Sequence, residues 1–353
     1  MNVARASRRG SKAATAEDVA RLARVSPMTV SRVVNGDKNV RASTREAVLD
    51  AVRELRYAPN LAARNLASAE QQRIGLPFAN PSHAYLSEFL VGMLDQLGDA
   101  GAQLVLVQCE AGDAKAERAA MAQLLRGQVS GILLTAPLSD SAAIRHEIAE
   151  ADIPAVIVGA GRFHGELSSV RIDERQAAYD MTKRLLDLGH RRIGFIMGHP
   201  NQTASAARRA GFEAALKELA PDAEPSLAPG FFTYQSGLAA AEQLLGQSRP
   251  PSAIFASNDD MAAAVVSVAH RRGLDVPRDV TVVGFDDTAI ATTLWPELTT
   301  VRQPIRELGA EAAQLLLKRL RAKKAGIIEL PSDIVMAHTL VERQSSAPFK
   351  GKD

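Results

Sequence analysis

The chain has 353 residues, enough for two or three compact units, with a net charge of only +2 and one cysteine. A single cysteine excludes an intrachain disulfide and fits a reducing compartment, so a cytoplasmic protein is expected. No apolar run is long enough to span a bilayer, and the basic N-terminus lacks the apolar core of a signal peptide.

The small net charge hides an asymmetry. Residues 1–68 hold 13 Lys and Arg against 6 Asp and Glu, net +7, which leaves 29 against 34, net −5, for the remainder. A basic front on a mildly acidic body predicts that only the front meets a polyanion. Residues 1–13 are basic and small, and read as a disordered tail. Three short helices follow. Thr15 and Asp18 form a capping box, after which Val19, Ala20, Leu22 and Ala23 make an apolar stripe. The second helix takes Ser26 as N-cap and Pro27 as its first residue, turns Val30, Val33 and Val34 inward, and stops at Asn35-Gly36. Only Val25 and Ser26 separate the two helices, so they must cross sharply, as in a helix-turn-helix. A capping box from Ser43 to Glu46 opens the third helix, with Ala47, Val48, Ala51, Val52 and Leu55 on one face. Residues 59–72 form a connector: Leu61, Ala62, Leu66 and Ala67 recur at helical spacing but are too few to fold without a partner.

From Arg73 the pattern becomes apolar strand, then helix, repeated. The predicted strands are Ile74–Phe78, Leu104–Val107, Gly131–Thr135, Ala155–Val158 and Val170–Ile172, then Ile193–Met197, Pro229–Phe232, Ala253–Ala256 and Thr281–Phe285. Continuous apolar strands between helices indicate parallel sheets covered on both faces, and two series indicate two lobes. Thr299–Val301 and Ile334–Val341 read as crossings between lobes or as edges, and Pro304 to Arg321 as a helix. Residues 344–353 lack heptads and read as a tail. Cys109 ends an apolar run and reads as a buried, inert thiol. There is no Cys/His metal spacing, nucleophile elbow or P-loop, so no metal, cofactor or catalytic residue is predicted.

The run Asp18-Val19-Ala20, Val25 to Val33 and Tyr57-x-Pro59-Asn60-x-x-Ala63-Arg64-x-Leu66 resembles the DNA-binding domain of the lactose-repressor (LacI/GalR) family. The body resembles that family's periplasmic-binding-protein-like core through Leu188 to Phe195, Arg208 to Phe212, Pro251 to Asp259, Val283 to Asp287 and Leu298 to Pro304. The implied fold is α/β: an all-α helix-turn-helix head over 14–58, a hinge helix over 59–72, and a two-lobed core of doubly wound parallel sheets over 73–343. The implied partners are a near-palindromic double-stranded operator, a small effector, and a second copy of the chain. By resemblance, Pro27, Met28, Thr29, Ser31 and Arg32 enter the major groove. Arg32 suits a guanine edge, worth about 1–3 kcal/mol of discrimination, while Pro27 and Met28 offer only apolar contact. Thr15, Asn35, Lys38, Arg41 and Thr44 are expected at phosphates. Asn60 shares the hinge motif, and Leu66, with Ala63 and Arg64 beside it, matches the leucine that wedges into the minor groove at the dyad.

Doubly wound sheets bind ligands beyond their strands' carboxyl ends. The resemblance puts Arg208, Asn258 and Asp286 on the polar groups of a small ligand, often sugar hydroxyls, with Phe232 against its face. His83 and Tyr85 are expected at the cleft mouth. Asp173 reads as the opposite wall or as the cap of the helix from Glu174, and Asp287 as a neighbour of Asp286 or a turn. The loop Gly198–Ser205 lacks an arginine before Arg208, which favours a neutral sugar over a charged or purine ligand. The expected function is a repressor of carbohydrate-utilisation genes released by a sugar. Alternatives are a corepressor-dependent regulator binding a non-sugar metabolite and, remotely, a DNA-tethered sugar-modifying enzyme.

Overall fold

The computed structural model describes residues 14–34, 40–55, 57, 72–79 and 82–351. The chain divides into two compact units, Met1–Gln71 and Gln72–Asp353. The predicted hinge helix falls outside the described residues, as do the N-terminal tail and the Asn35-Gly36 stop.

The head contains α1 (Ala16–Leu22), α2 (Pro27–Val34) and α3 (Ala42–Glu54). The Thr15–Asp18 capping box is formed in both directions. After α1, Arg24 takes φ 53°, and Val25 N donates to Ala20 O at 3.0 Å. This left-handed residue closes the first helix and turns the chain into the second. Val19, Ala20, Val30, Val33, Val48 and Ala51 are the buried core. Two expectations change. Leu22 is exposed, because the short α1 turns it away from this core. The third helix begins two residues earlier than its proposed box, at Ala42 behind Arg41, and no side chain caps it.

The body holds two six-stranded sheets. The first comprises β1 (Arg73–Phe78), β2 (Gln103–Gln108), β3 (Gly131–Thr135), β4 (Ala155–Val158), β5 (Ser168–Ile172) and β11 (Asp333–Met336), in the order β11-β5-β4-β3-β1-β2, all parallel. The second comprises β6 (Arg192–Ile196), β7 (Glu224–Ala228), β8 (Ala253–Ala256), β9 (Thr281–Asp286), β10 (Thr299–Arg302) and β12 (Thr339–Val341), in the order β12-β10-β9-β8-β6-β7. It is parallel except for β12. The central strands β3, β4, β8 and β9 are buried along their whole length, as their unbroken apolar sequences require. The helices are α4 (His83–Asp99), α5 (Ala114–Arg126), α6 (Ala142–Glu150), α7 (Glu174–Asp187), α8 (Thr203–Leu219), α9 (Tyr234–Leu245), α10 (Asp259–Arg271), α11 (Ile290–Thr293) and α12 (Ile305–Lys324). Helix α12 returns to the first lobe, packing on α4, β3, β4 and β5. The chain therefore crosses between lobes after β5, after β10 and between β11 and β12.

Two predicted boundaries are corrected here. The strand expected at Pro229–Phe232 is instead Glu224–Ala228; Phe232 sits in the following loop at φ 60°, a conformation no strand accommodates. The supposed tail after 343 is part of the fold. Ser345 is fully buried, its hydroxyl donating to Val282 O at 2.6 Å and accepting from Thr299 N at 2.8 Å, and Phe349 N donates to Leu188 O. Buried His190 reaches Ser252 Oγ (2.9 Å) and Ala347 O (3.1 Å). Cys109 is buried and free. Among the described residues no helix is long and apolar enough to cross a membrane.

Candidate functional site

The candidate DNA-facing surface of the head is the exposed face of α2. Ser26 Oγ accepts from Thr29 N at 3.2 Å and lies 2.9 Å from the Thr29 hydroxyl, which ties Thr29 to the cap. Pro27, Met28, Ser31 and Arg32 are exposed, and Met28 at 68 % stands out as an apolar side chain left in water. Thr15 is committed to Asp18, Oγ1 to Oδ2 at 2.7 Å. Arg41 is exposed at the start of α3, and Thr44 is half-buried in its first turn, where free backbone N–H groups favour an anion. Asn35, Lys38, Asn60, Ala63, Arg64 and Leu66 lie outside the described residues.

The second candidate site sits between the lobes of the body. Ala136 follows β3, Gly159 follows β4 and Glu174 begins α7 after β5. Facing them are Phe232 after β7, Asn258 after β8, Asp286 ending β9 and Gln303 after β10, with Tyr85 from α4 and Arg208 from α8. Seven strand ends thus converge on one cleft, the place where such sheets take ligands.

Arg208 organises it. The guanidinium donates to Glu174 through Nε (2.7 Å) and Nη2 (3.3 Å), reaches Ser257 O through Nη1, and lies 3.8 Å from Asp286 Oδ1. Its Cζ stands 3.6 Å from the centroid of Phe285, a cation–π contact. Burial works against the Arg208 charge, but Glu174 and then Asp286 outweigh it and the pKa is raised. Asp286 accepts from Gln303 Nε2 at 2.6 Å. Burial pushes its carboxyl up to about 7 against the pull of Arg208 and Gln303. Asp259 behind it is raised well above the usual carboxylate range, first by burial and then by Asp286. It accepts from Thr300 Oγ1 (2.6 Å) and Thr288 N (2.8 Å). Burial, then Asp286, also pushes the Tyr85 phenol far up, so it is a neutral donor. Asn258 caps α10, accepting from Met261 N at 3.0 Å, and its amide donates to Phe232 O at 3.0 Å. It thereby holds the left-handed turn that points Phe232 inward.

Hydrogen bonds hold the two lobes together across the cleft. Thr203 N and Oγ1 donate to the two oxygens of Asp140, each at 2.9 Å, and Gly161 N donates to Thr203 Oγ1 at 2.9 Å. Ser82 Oγ donates to Asp260 at 2.8 Å. A Cβ at Gly161 would lie 2.4 Å from the Thr203 backbone, so this approach requires glycine. In this arrangement the inner cleft holds about 40 Å³, room for a few waters and far below the roughly 300–1,000 Å³ of ligand pockets. A sugar-sized ring does not fit this volume as the lobes stand here.

Of the residues predicted from sequence, Tyr85, Arg208, Phe232, Asn258 and Asp286 line this cleft together. Arg208 projects from the second turn of α8. Three others stand elsewhere. Asp173 is exposed and caps α7, accepting from Gln176 N at 2.9 Å, because the next residue is the one turned inward. Asp287 faces away, paired with Arg302 and Arg343. His83 lies in an adjoining crevice. Sequence reasoning missed Glu174, Gln202 and Gln303. Gln303 was visible inside the Leu298 to Pro304 motif, whereas nothing local marks Glu174, whose partner is 34 positions away.

Comparison with known proteins agrees with both halves. Residues 15–60 match the family model for bacterial regulatory proteins of the lacI family, and residues 182–346 that for the periplasmic binding protein-like domain. The chain is 35 % identical to catabolite control protein A of Priestia megaterium over 94 % of its own length and 99 % of that protein's. A transcriptional regulator CelR–cellobiose complex superposes with TM-score 0.70 at 32 % identity, covering 94 % of this chain and 99 % of that one. The lac repressor dimer bound to operator and an anti-inducer superposes with TM-score 0.73 at 30 % identity, covering 95 % and 100 %.

Proposed function

The chain belongs to the LacI family of bacterial regulatory proteins and is a DNA-binding transcriptional regulator, and on that premise we propose that it is a homodimeric, cytoplasmic repressor of carbohydrate-utilisation genes, released from a near-palindromic operator by a neutral sugar. In this reading Pro27, Met28, Thr29, Ser31 and Arg32 read bases, and Thr15, Arg41 and Thr44 hold phosphates, as do Asn35 and Lys38. Asn60, Ala63, Arg64 and Leu66 serve the hinge and its minor-groove wedge.

The observation that carries the choice of ligand is the Arg208–Glu174 pair. With its guanidinium already neutralised and flanked by Asp286, the described lining of the cleft offers no spare positive charge to a phosphate or carboxylate. It offers Asp286, Gln303, Tyr85 and Arg208 edges for hydroxyls, and the Phe232 ring for an apolar sugar face. The cellobiose held by the superposable CelR structure supports the same ligand class. The sugar is bound and released without turnover, and its differential affinity for two lobe arrangements, a few kcal/mol, alters the separation of the paired hinges.

The test is a gel shift with the chain's own upstream region against matched neutral sugars and sugar phosphates. A neutral sugar is expected to weaken operator binding by about tenfold or more. Release only by phosphorylated or carboxylated compounds, or by none of the panel, would overturn the reading.

A further inference from the structure

The chain's sulfur atoms are spread unevenly over the fold. Among the described residues, Met93, Met121, Met181 and Met261 are fully buried, and Met197 and Met336 are half-buried against the body's core. Cys109 is buried, and burial pushes its thiol up, which leaves little of the nucleophilic thiolate. Among the described residues Met28 alone carries an exposed sulfur side chain, 68 % open to water. The sequence dictates this. Ser26-Pro27 starts α2, and Val30 and Val33 turn toward the head's core. At about 100° per residue, Met28 lies about 200° from Val30 and about 140° from Val33, on the opposite face.

That face carries the base-reading set proposed above. Thr29 is tied to the Ser26 cap and Pro27 offers only ring carbons, so Met28 presents the longest apolar side chain there. In water its thioether is open to attack; against base edges it is covered. Oxidation changes what this side chain can do. A peroxide delivers one oxygen atom to a sulfur lone pair: the S–O bond forms, the O–O bond breaks and water leaves, with two electrons passing from sulfur to peroxide. The sulfoxide is polar, and seating it against a thymine methyl strips its oxygen of water without supplying a partner.

We propose that Met28 is an oxidation-sensitive modification site and that its sulfoxide holds the regulator off its operator. This rests on the reading that places Met28 in the major groove, and adds a second input to it. Bound DNA shields the sulfur, so peroxide acts on the chain that the effector has already released. A methionine sulfoxide reductase, which takes two electrons from thiols and returns the oxygen as water, restores binding. Release then outlasts the effector until the sulfur is reduced.

The test uses the full chain and a duplex that it selects from a randomised palindromic pool. Hydrogen peroxide is applied to the free and the duplex-bound chain; peptide masses report each sulfur and gel shift reports affinity. Met28 is expected to gain one oxygen before any other described methionine, with affinity for the duplex falling about tenfold or more. Bound duplex should slow that gain, and methionine sulfoxide reductase with dithiothreitol should return the affinity. Cys109→Ala should lose affinity as the native chain does. Met28→Leu, whatever its starting affinity, should keep it through the same treatment. Complete conversion of Met28 to the sulfoxide with affinity unmoved overturns the switch and leaves the groove placement standing. An equal loss in Met28→Leu does the same, because another group then carries the effect. Oxidation of Met28 as fast on the duplex as off it overturns the groove placement and the switch together.

Discussion

On α2 of the head, Met28 is 68 % exposed and its helix rests on a core of six small buried side chains. In the body, Arg208 is 5 % exposed and its guanidinium touches Glu174, Asp286, the carbonyl of Ser257 and the ring of Phe285. In the proposed reading both belong to surfaces that meet a ligand. The head presents groups to water that a duplex would desolvate; the cleft has already desolvated its groups and matched their charges. Changes in the first should therefore act on binding and spare stability. Changes in the second should act on stability as strongly as on binding.

The sharpest way to break this contrast is to unpair the buried cation. Glu174→Ala leaves Arg208 charged and buried, and should cost about 3–5 kcal/mol in urea unfolding of the body. Arg32→Ala should stay within about 0.5 kcal/mol in the same assay while losing about 1–3 kcal/mol of operator affinity by gel shift. Equal stability losses would erase the distinction.

The pH dependence sharpens it next. Asp286, raised to about 7, keeps a proton in the folded state that the unfolded chain has released. The folded state then binds more protons, so its contribution to stability falls as pH rises from the usual carboxylate range through about 7, by up to about 1.4 kcal/mol per pH unit. Asp259 acts in the same direction. His190, lowered by burial, acts oppositely below its usual range. Unfolding free energies between pH 5 and 8 for the native chain and Asp286→Asn isolate this residue, and the variant should show the flatter fall. Parallel curves would place Asp286 in a solvated setting like that of the head.

The smallest effect concerns closure. Thr203→Val removes the hydroxyl that both donates to Asp140 and accepts from Gly161, worth about 1–2 kcal/mol. Under the proposed reading, stopped-flow association of the sugar that releases the operator should then quicken by about tenfold if the lobes part before the ring enters. An unchanged rate would show that entry does not wait on this contact.

How much of this was readable in the sequence follows the same division. The head rests on local signals: the Thr15–Asp18 box, Ser26-Pro27 at a helix start and valines at helical spacing all appear where expected. The exact starts of Gly131–Thr135 and Ala155–Val158 were legible because buried parallel strands are unbroken apolar runs. The cleft was half legible. Arg208, Asn258 and Asp286 stand at strand ends or in motifs, but the partner that neutralises Arg208 comes from another helix, and buried Glu174 stands directly beside exposed Asp173. Pro229 to Phe232 reads as a strand because it looks apolar; a left-handed backbone leaves no mark in hydropathy. The last ten residues look polar and unpatterned, yet Ser345 is buried through hydrogen bonds that periodicity does not register.

The three crossings between lobes, after β5, after β10 and between β11 and β12, bear on how such a regulator can be re-engineered. No single cut in the body frees one lobe with all its strands, so a chimaera exchanging half a body would have to splice at several junctions at once. Responsiveness to a new small molecule has to be written by point changes within the intact body, or brought in by grafting everything from Gln72 onward as one piece.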